Sequence, residues 1–166
     1  MKSRLDDIYY MQLALDAASK SAKCGEVPVG AVVVYDPFDS STNTFLCSEP
    51  KLLACCSNKR EQNCDPAGHA EFLAIRKAAR KLNSWRLCGC TVYVTLEPCI
   101  MCAGLMHQSR IDACVYGAPD NKAGALGTLY SIHEDKRLNH NFEVRAGVCA
   151  NESKILLKDF FAKRRR

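Results

Sequence analysis

No stretch of this sequence reaches the roughly 18 consecutive apolar residues that a bilayer crossing requires, so no membrane association through a spanning segment is expected. The start has no secretory pattern either. Lys2 and Arg4 are followed by Asp6 and Asp7, and no apolar run of h-region length comes after them. A reducing cytoplasm is therefore the expected compartment. Internal repeats and low-complexity tracts are absent, and disorder is expected only at the ends. Histidine is scarce, with four; cysteine is plentiful, with 11. An odd count in a reducing compartment argues for free thiols buried as small hydrophobes. Cys24, Cys47, Cys55, Cys56, Cys64, Cys88, Cys90, Cys114 and Cys149 take that reading. The sulfurs of "CGC" at 88–90 are too close in sequence to share one metal comfortably.

The 166 residues suit a single domain, 1–166, with a substantial core. Apolar residues make up 48% and charged residues 25%, ordinary for a globular protein. The net charge is +5, and its placement is more informative than its size. Residues 163–166 are all cationic, a tail that suits nucleic acid or another acidic surface, or simply a solvated terminus.

Ile8, Met11, Leu15, Ala18 and Ala22 recur at helical spacing behind a cap formed by Ser3 with Asp6, and Gly25 ends that helix. "VPVGAVVVY" (27–35) and "KLLACCS" (51–57) read as strands, joined by a turn-rich connection over 36–50 with a mobile tip. Asp65 and Pro66 mark a helix start, with Phe72, Ile75, Ala79 and Leu82 as its buried stripe. "CTVYVTL" (90–96) is a strand. Pro98 opens a helix that packs through Ile100, Ala103 and Met106. Strands at 113–118 and 142–148 follow, then a closing helix over 151–163 whose Ile155, Leu156, Phe160 and Phe161 face the core. This alternation predicts an α/β fold: three layers, α/β/α, around a central mixed five-stranded sheet that is parallel at least through 90–118.

Four residues carry the chemistry. Cys99 and Cys102 lie three apart at a helix start, on one face, where the helix dipole and free N–H groups favour thiolates. His69, near the start of another helix, can add a neutral imidazole. Three such ligands leave a zinc ion one open position, the mark of a catalytic site; a fourth cysteine would instead close the site as a structural one. His107, His133 and His140 have no paired spacing with His69 and read as filler or loop residues. Glu71, two after His69, points elsewhere than the ligand. A carboxylate there can take a proton from an activated water and deliver it later, although alone it would read as a dipole-stabilised surface residue.

"HAE" (69–71) and "PCIMC" (98–102) form the H-x-E…P-C-x-x-C signature of zinc nucleobase deaminases. With "EVPVGAVVV" (26–34), "YVTLEPCIMCAGLMHQSRI" (93–111), "YGAPDNKAGALGTL" (116–129), "LNHNFEVRAG" (138–147) and "LLKDFFAKRRR" (156–166), the chain resembles the bacterial tRNA-specific adenosine deaminases of the cytidine deaminase-like superfamily nearly end to end. The resemblance implies one Zn2+ per subunit on His69, Cys99 and Cys102, with Glu71 as the catalytic proton carrier. Adenosine at the wobble position of an arginine tRNA would become inosine, the anticodon loop offering a base that needs little unstacking. Asn58 would bind the purine, and the backbone N–H groups of Ala70 and Cys99 the base or the attacking oxygen. Asp120 falls in the substrate loop. Phe160, Phe161, Arg164, Arg165 and Arg166 match an RNA-contacting C-terminus, with helix packing the competing role for one of the phenylalanines. The family forms homodimers in which each site is completed by the partner.

Two departures stand out: the insertion around 38–50, and Cys55-Cys56-Ser57 ahead of Asn58 in place of a glycine-containing approach. Two other functions stay open. One is deamination of a free base such as guanine or cytosine, which the basic tail and the "GAPDNKAGALG" loop disfavour. The other is a non-catalytic RNA-binding subunit, which would have no need of Glu71.

Overall fold

The computed structural model describes residues 4–164. Its elements run α1 (Asp7–Lys23), β1 (Gly30–Tyr35), β2 (Phe38–Asp39), β3 (Thr44–Phe45), β4 (Lys51–Ser57), α2 (Arg60–Asn63), α3 (Ala70–Leu82), β5 (Cys90–Leu96), α4 (Ile100–Gln108), β6 (Ala113–Ala118), β7 (Glu143–Ala146) and α5 (Ala150–Arg164). A five-stranded sheet of order β4-β1-β5-β6-β7 is antiparallel across β4, β1 and β5 and parallel across β5, β6 and β7. The mixed sheet expected from the alternation of elements is therefore present.

Both faces of this sheet are covered, which is why its strands read as near-continuous apolar runs. Val32, Val34, Tyr93 and Val115 pack on Met11, Ala14 and Leu15 of α1. The alternate residues Ala31, Val33, Val92, Val94 and Cys114 meet Ala74, Ile75 and Ala78 of α3 and Ala103 and Met106 of α4. The central valines are fully buried, and each such side chain contributes about 1.5–3 kcal/mol of transfer free energy. No helix among the described residues is long and apolar enough to cross a membrane.

Several boundaries and faces differ from the sequence reading. Asp6 alone caps α1, accepting from the N–H groups of Ile8 and Tyr9; Ser3 lies outside the described residues. Ile8, Ile100, Ile155 and Phe161 are exposed rather than packed. Of the nine cysteines read as buried filler, only Cys90 and Cys114 are buried, although all are free. The helix expected at Asp65 starts at Ala70. Asp65 instead closes a turn, accepting from the N–H of Ala67 on its side chain and of Gly68 on its carbonyl. That delay leaves His69 as the N-cap of α3. Pro98 likewise stays outside α4, and Cys99 is its N-cap.

The insertion is a built hairpin, β2 against β3, with Phe38 and Phe45 ring to ring at 5.1 Å. Arg4 pins it: its guanidinium reaches Asp36 at 2.7 Å and the carbonyls of Cys47 and Ser48, and lies over the Phe45 ring. The register pairs Tyr35 with Lys51 and Cys90 at this end of the sheet, and Gly30 with Ser57 at the other. The hairpin hangs from the first end; Asn58, Glu97 and Cys99 follow the strand ends at the second.

Candidate active site

The second end of the sheet carries the site. His69 and Cys99 are N-caps with extended backbone, and neither spends its side chain on capping. Both are thereby free to turn toward each other. The Nδ1 of His69 stands 3.6 Å from the Sγ of Cys99 and 3.6 Å from the Sγ of Cys102. These three ligand atoms lie within 4.8 Å of one another, and among the described residues no fourth histidine, cysteine or acidic side chain joins them. One imidazole nitrogen and two sulfurs are the donor set that suits zinc, and three protein ligands is the count of a catalytic zinc site.

The electrostatics fit metal ligation. Cys99 is pulled down to about 4, first by its hydrogen bond with Cys102 and then, against the burial penalty, by His69. The paired Cys99 thiolate and burial push Cys102 up. His69 is raised chiefly by Cys99. The two sulfurs lie close enough that negative charge on one opposes it on the other, and a divalent cation between them would favour both as thiolates.

Glu71, in the first turn of α3, is 4% exposed, so the surface role is ruled out. Burial raises its pKa, with the His69 charge pulling the other way. It lines a cavity of about 240 Å³ with His69, Ala70, Cys99, Asn58 and Asp120. Asn58 is 5% exposed; its N–H donates to the carbonyl of Val29, and its side-chain amide to Glu26. The cysteines before it sit within β4 and leave Asn58 at the cavity wall. Asp120 caps its own turn, accepting from the N–H groups of Lys122 and Ala123.

The C-terminal residues divide. Phe160 is buried, edge-on to Phe161 and beneath the Arg164 guanidinium, so packing wins there. Phe161 is the exposed ring, beside Lys122, Lys158 and Ala162 around a shallow depression. Arg164 is not a free cation, because it donates to the carbonyl of Gly25 and ties α5 to the chain entering β1. Arg165 and Arg166 lie outside the described residues. His107 and His140 are structural: the Nδ1 of His107 meets the carbonyl of His140 at 3.0 Å, and the Nε2 of His140 that of Ile111 at 2.8 Å.

Sequence reasoning missed two buried acids. Glu97, 2% exposed, accepts from the N–H groups of Asp120, Leu126 and Thr128 and from the Thr128 hydroxyl. Burial opposes its ionisation, but these four hydrogen bonds prevail and lower its pKa. They clamp the loop carrying Asp120 against Cys99, and a side chain at Gly124 would run into the same carboxylate. Glu26 stands behind Asn58. An acid flanking an apolar strand run, as in "TLEP" and "GEVPVG", was the available signal.

Residues 5–165 match the family described as MafB19-like deaminase. The tRNA-specific adenosine deaminase of Haemophilus influenzae is 42% identical over 93% of this chain and 83% of its own length. That of Bacillus subtilis is 40% identical over 96% and 91%. A solved structure from work on A-to-I editing by tRNA:A34 deaminases superposes with a TM-score of 0.78 at 34% identity, covering 90% of this chain and 99% of that one. The guanine deaminase of Nitrosomonas europaea shares the fold, with a TM-score of 0.75 at 20% identity over 97% and 87% of the two chains. Identity of this level over nearly the whole length, together with the cluster of His69, Cys99 and Cys102 and the buried Glu71, makes the chain a member of the MafB19-like deaminase family, among the tRNA-specific adenosine deaminases.

Proposed function

We propose that this protein hydrolytically deaminates adenosine to inosine at the wobble position of transfer RNA, an arginine tRNA by family resemblance. The observation that carries this reading is the buried Glu71 carboxylate facing the same cavity as His69 and Cys99. His69, Cys99 and Cys102 would hold zinc, which supplies the Lewis acidity that makes water a nucleophile at neutral pH. Glu71 takes the proton that water gives up and delivers it to the ring nitrogen beside C6. Its raised pKa suits both halves of that task. Oxygen bonds to C6; the remaining proton of the new C6 hydroxyl then passes through Glu71 to the amino nitrogen, the C6–N bond breaks, and ammonia leaves as C6=O forms. Asn58 and the backbone of Ala70 hold the base, and Asp120 borders its entrance. Phe161 with Lys122 and Lys158 offers an aromatic face between two cations, the combination that suits single-stranded RNA.

The working unit is a homodimer. Ile100 of α4 is exposed, as are Leu129 and Tyr130 in the loop that bridges to Cys99 through Gly124. A second copy packed there would cover these apolar side chains and stand beside the metal ligands.

Purified protein loaded with zinc and incubated with tRNA should yield inosine at the wobble position and one ammonia per inosine. Ammonia from free guanine or cytosine, with none from tRNA, would overturn the assignment in favour of a free-base deaminase.

A further inference from the structure

Glu26 is a buried acid that the proton chemistry leaves idle. It is 2% exposed and does not line the cavity. Three N–H groups converge on its two oxygens. Oε2 receives the side-chain Nδ2 of Asn58 at 3.0 Å and the backbone N–H of Glu61 at 3.4 Å; Oε1 receives the N–H of Gln62 at 2.7 Å. A carboxylate among donors alone is an acceptor, so the nitrogen end of the Asn58 amide must face it.

This has a consequence on the other side of Asn58. A side-chain amide offers an acceptor at one end and a donor at the other, and a flip exchanges them. Asn58 has one amide hydrogen committed to Glu26, which leaves its carbonyl oxygen and second amide hydrogen for the cavity it lines. An asparagine locked in this way presents a fixed acceptor and donor, which is how amides discriminate base edges. The same carboxylate holds the backbone of Glu61 and Gln62, and so steadies the turn that brings Arg60 and Glu61 to the cavity.

We propose that Glu26 is a positioning residue for the nucleobase: it locks the Asn58 amide in one orientation and thereby sets which base edge the cavity accepts. The proposal builds on the deaminase reading above and adds a residue that does not meet the substrate.

The test is a double-mutant cycle between Glu26→Gln and Asn58→Ala, with inosine formation on tRNA as the readout. Glu26→Gln keeps the shape but replaces one of the two acceptor oxygens with a donor NH2, so the three converging N–H groups can no longer all be satisfied. It should lower kcat/KM by about 10- to 100-fold, the usual effect of removing a supporting partner, with zinc content unchanged. In the Asn58→Ala background the same change should cost less than about threefold, because Glu26 then has nothing to orient. Losses that multiply independently would overturn the proposal. Should Glu26→Gln fail to fold, Glu26→Asp takes its place, keeping the acceptors on a shorter arm. A second measurement does not depend on activity. The side-chain NH2 signal of Asn58 in a 15N spectrum, assigned by its loss in Asn58→Ala, should exchange slowly with water in the wild type and rapidly in the Glu26 variant. Equal exchange would overturn the proposal even if activity fell. A wild type that makes no inosine would instead sink the deaminase reading, and the amide signal would still decide whether Glu26 holds Asn58.

Discussion

The Nδ1 of His69 stands 3.6 Å from the Sγ of Cys102, although 33 residues separate them along the chain. Topology accounts for this. β4 and β5 both run antiparallel to β1, and so point the same way on either side of it. The chain leaving each strand starts a helix above the same end of the sheet, and the starts of α3 and α4 converge. The N-caps of both helices, His69 and Cys99, thus meet, and a helix N-terminus is where a thiolate is favoured.

Glu71→Gln should bind zinc as the wild type does and still bind tRNA, while inosine formation falls by about 10²–10⁴-fold, the usual contribution of a positioned proton carrier. Zinc analysis, filter binding and inosine sequencing separate the three effects. Activity within a few-fold of wild type would remove Glu71 from the mechanism, and loss of zinc would make it a ligand.

Removing the metal should abolish inosine formation and open Cys99 to alkylation. Cys99 borders the cavity, whereas Cys102 and Cys90 are fully buried. Peptide mass spectrometry after iodoacetamide treatment should therefore find Cys99 modified in chelator-treated protein and spared once zinc is restored, with Cys90 unmodified in both. Equal labelling of Cys99 with and without zinc would remove it from the ligand set.

The site was more legible in the sequence than the surfaces around it. Cysteine is plentiful and glutamate common in this chain, but H-x-E and P-C-x-x-C are short, constrained spacings, and the fold brings His69, Cys99 and Cys102 together. Helix starts misled by a few residues. Asp65-Pro66 carries a genuine turn signal, but Asp65 spends its side chain on Ala67, and the helix waits until Ala70. Phe160 and Phe161 are adjacent and chemically alike, so periodicity cannot say which one α5 turns inward. The path of α5 across the sheet decides it, and Arg164 anchoring to Gly25 is a long-range contact with no local signature. Glu26 and Glu97 were overlooked because an isolated acid next to a strand reads as solvated until its burial is known.

Phe160 and Phe161 should separate on mutation. Phe160→Ala empties a buried site and should cost about 3 kcal/mol of stability, read from urea unfolding. Phe161→Ala removes a ring that is 44% exposed. It should leave stability within about 0.5 kcal/mol and weaken tRNA binding about tenfold, one stacking contact's worth. If both variants lose stability alike and bind tRNA alike, the exposed ring has no RNA role.

Gly104 provides the sharpest test of the dimer. It sits inside α4, where glycine costs about 1 kcal/mol relative to alanine, and a Cβ added there would meet nothing within 4 Å among the described residues. None of these residues requires a glycine at this position. Close approach of another surface would. Gly104→Arg should therefore raise helix stability in the monomer slightly while placing a large cation on the face proposed to pair. Sedimentation equilibrium should find the wild type dimeric and the variant monomeric, with zinc retained. Inosine formation should drop with the dimer if the partner completes the site. A Gly104→Arg protein that stays dimeric and fully active would move the interface off α4, and a monomeric protein of full activity would show that each subunit works alone.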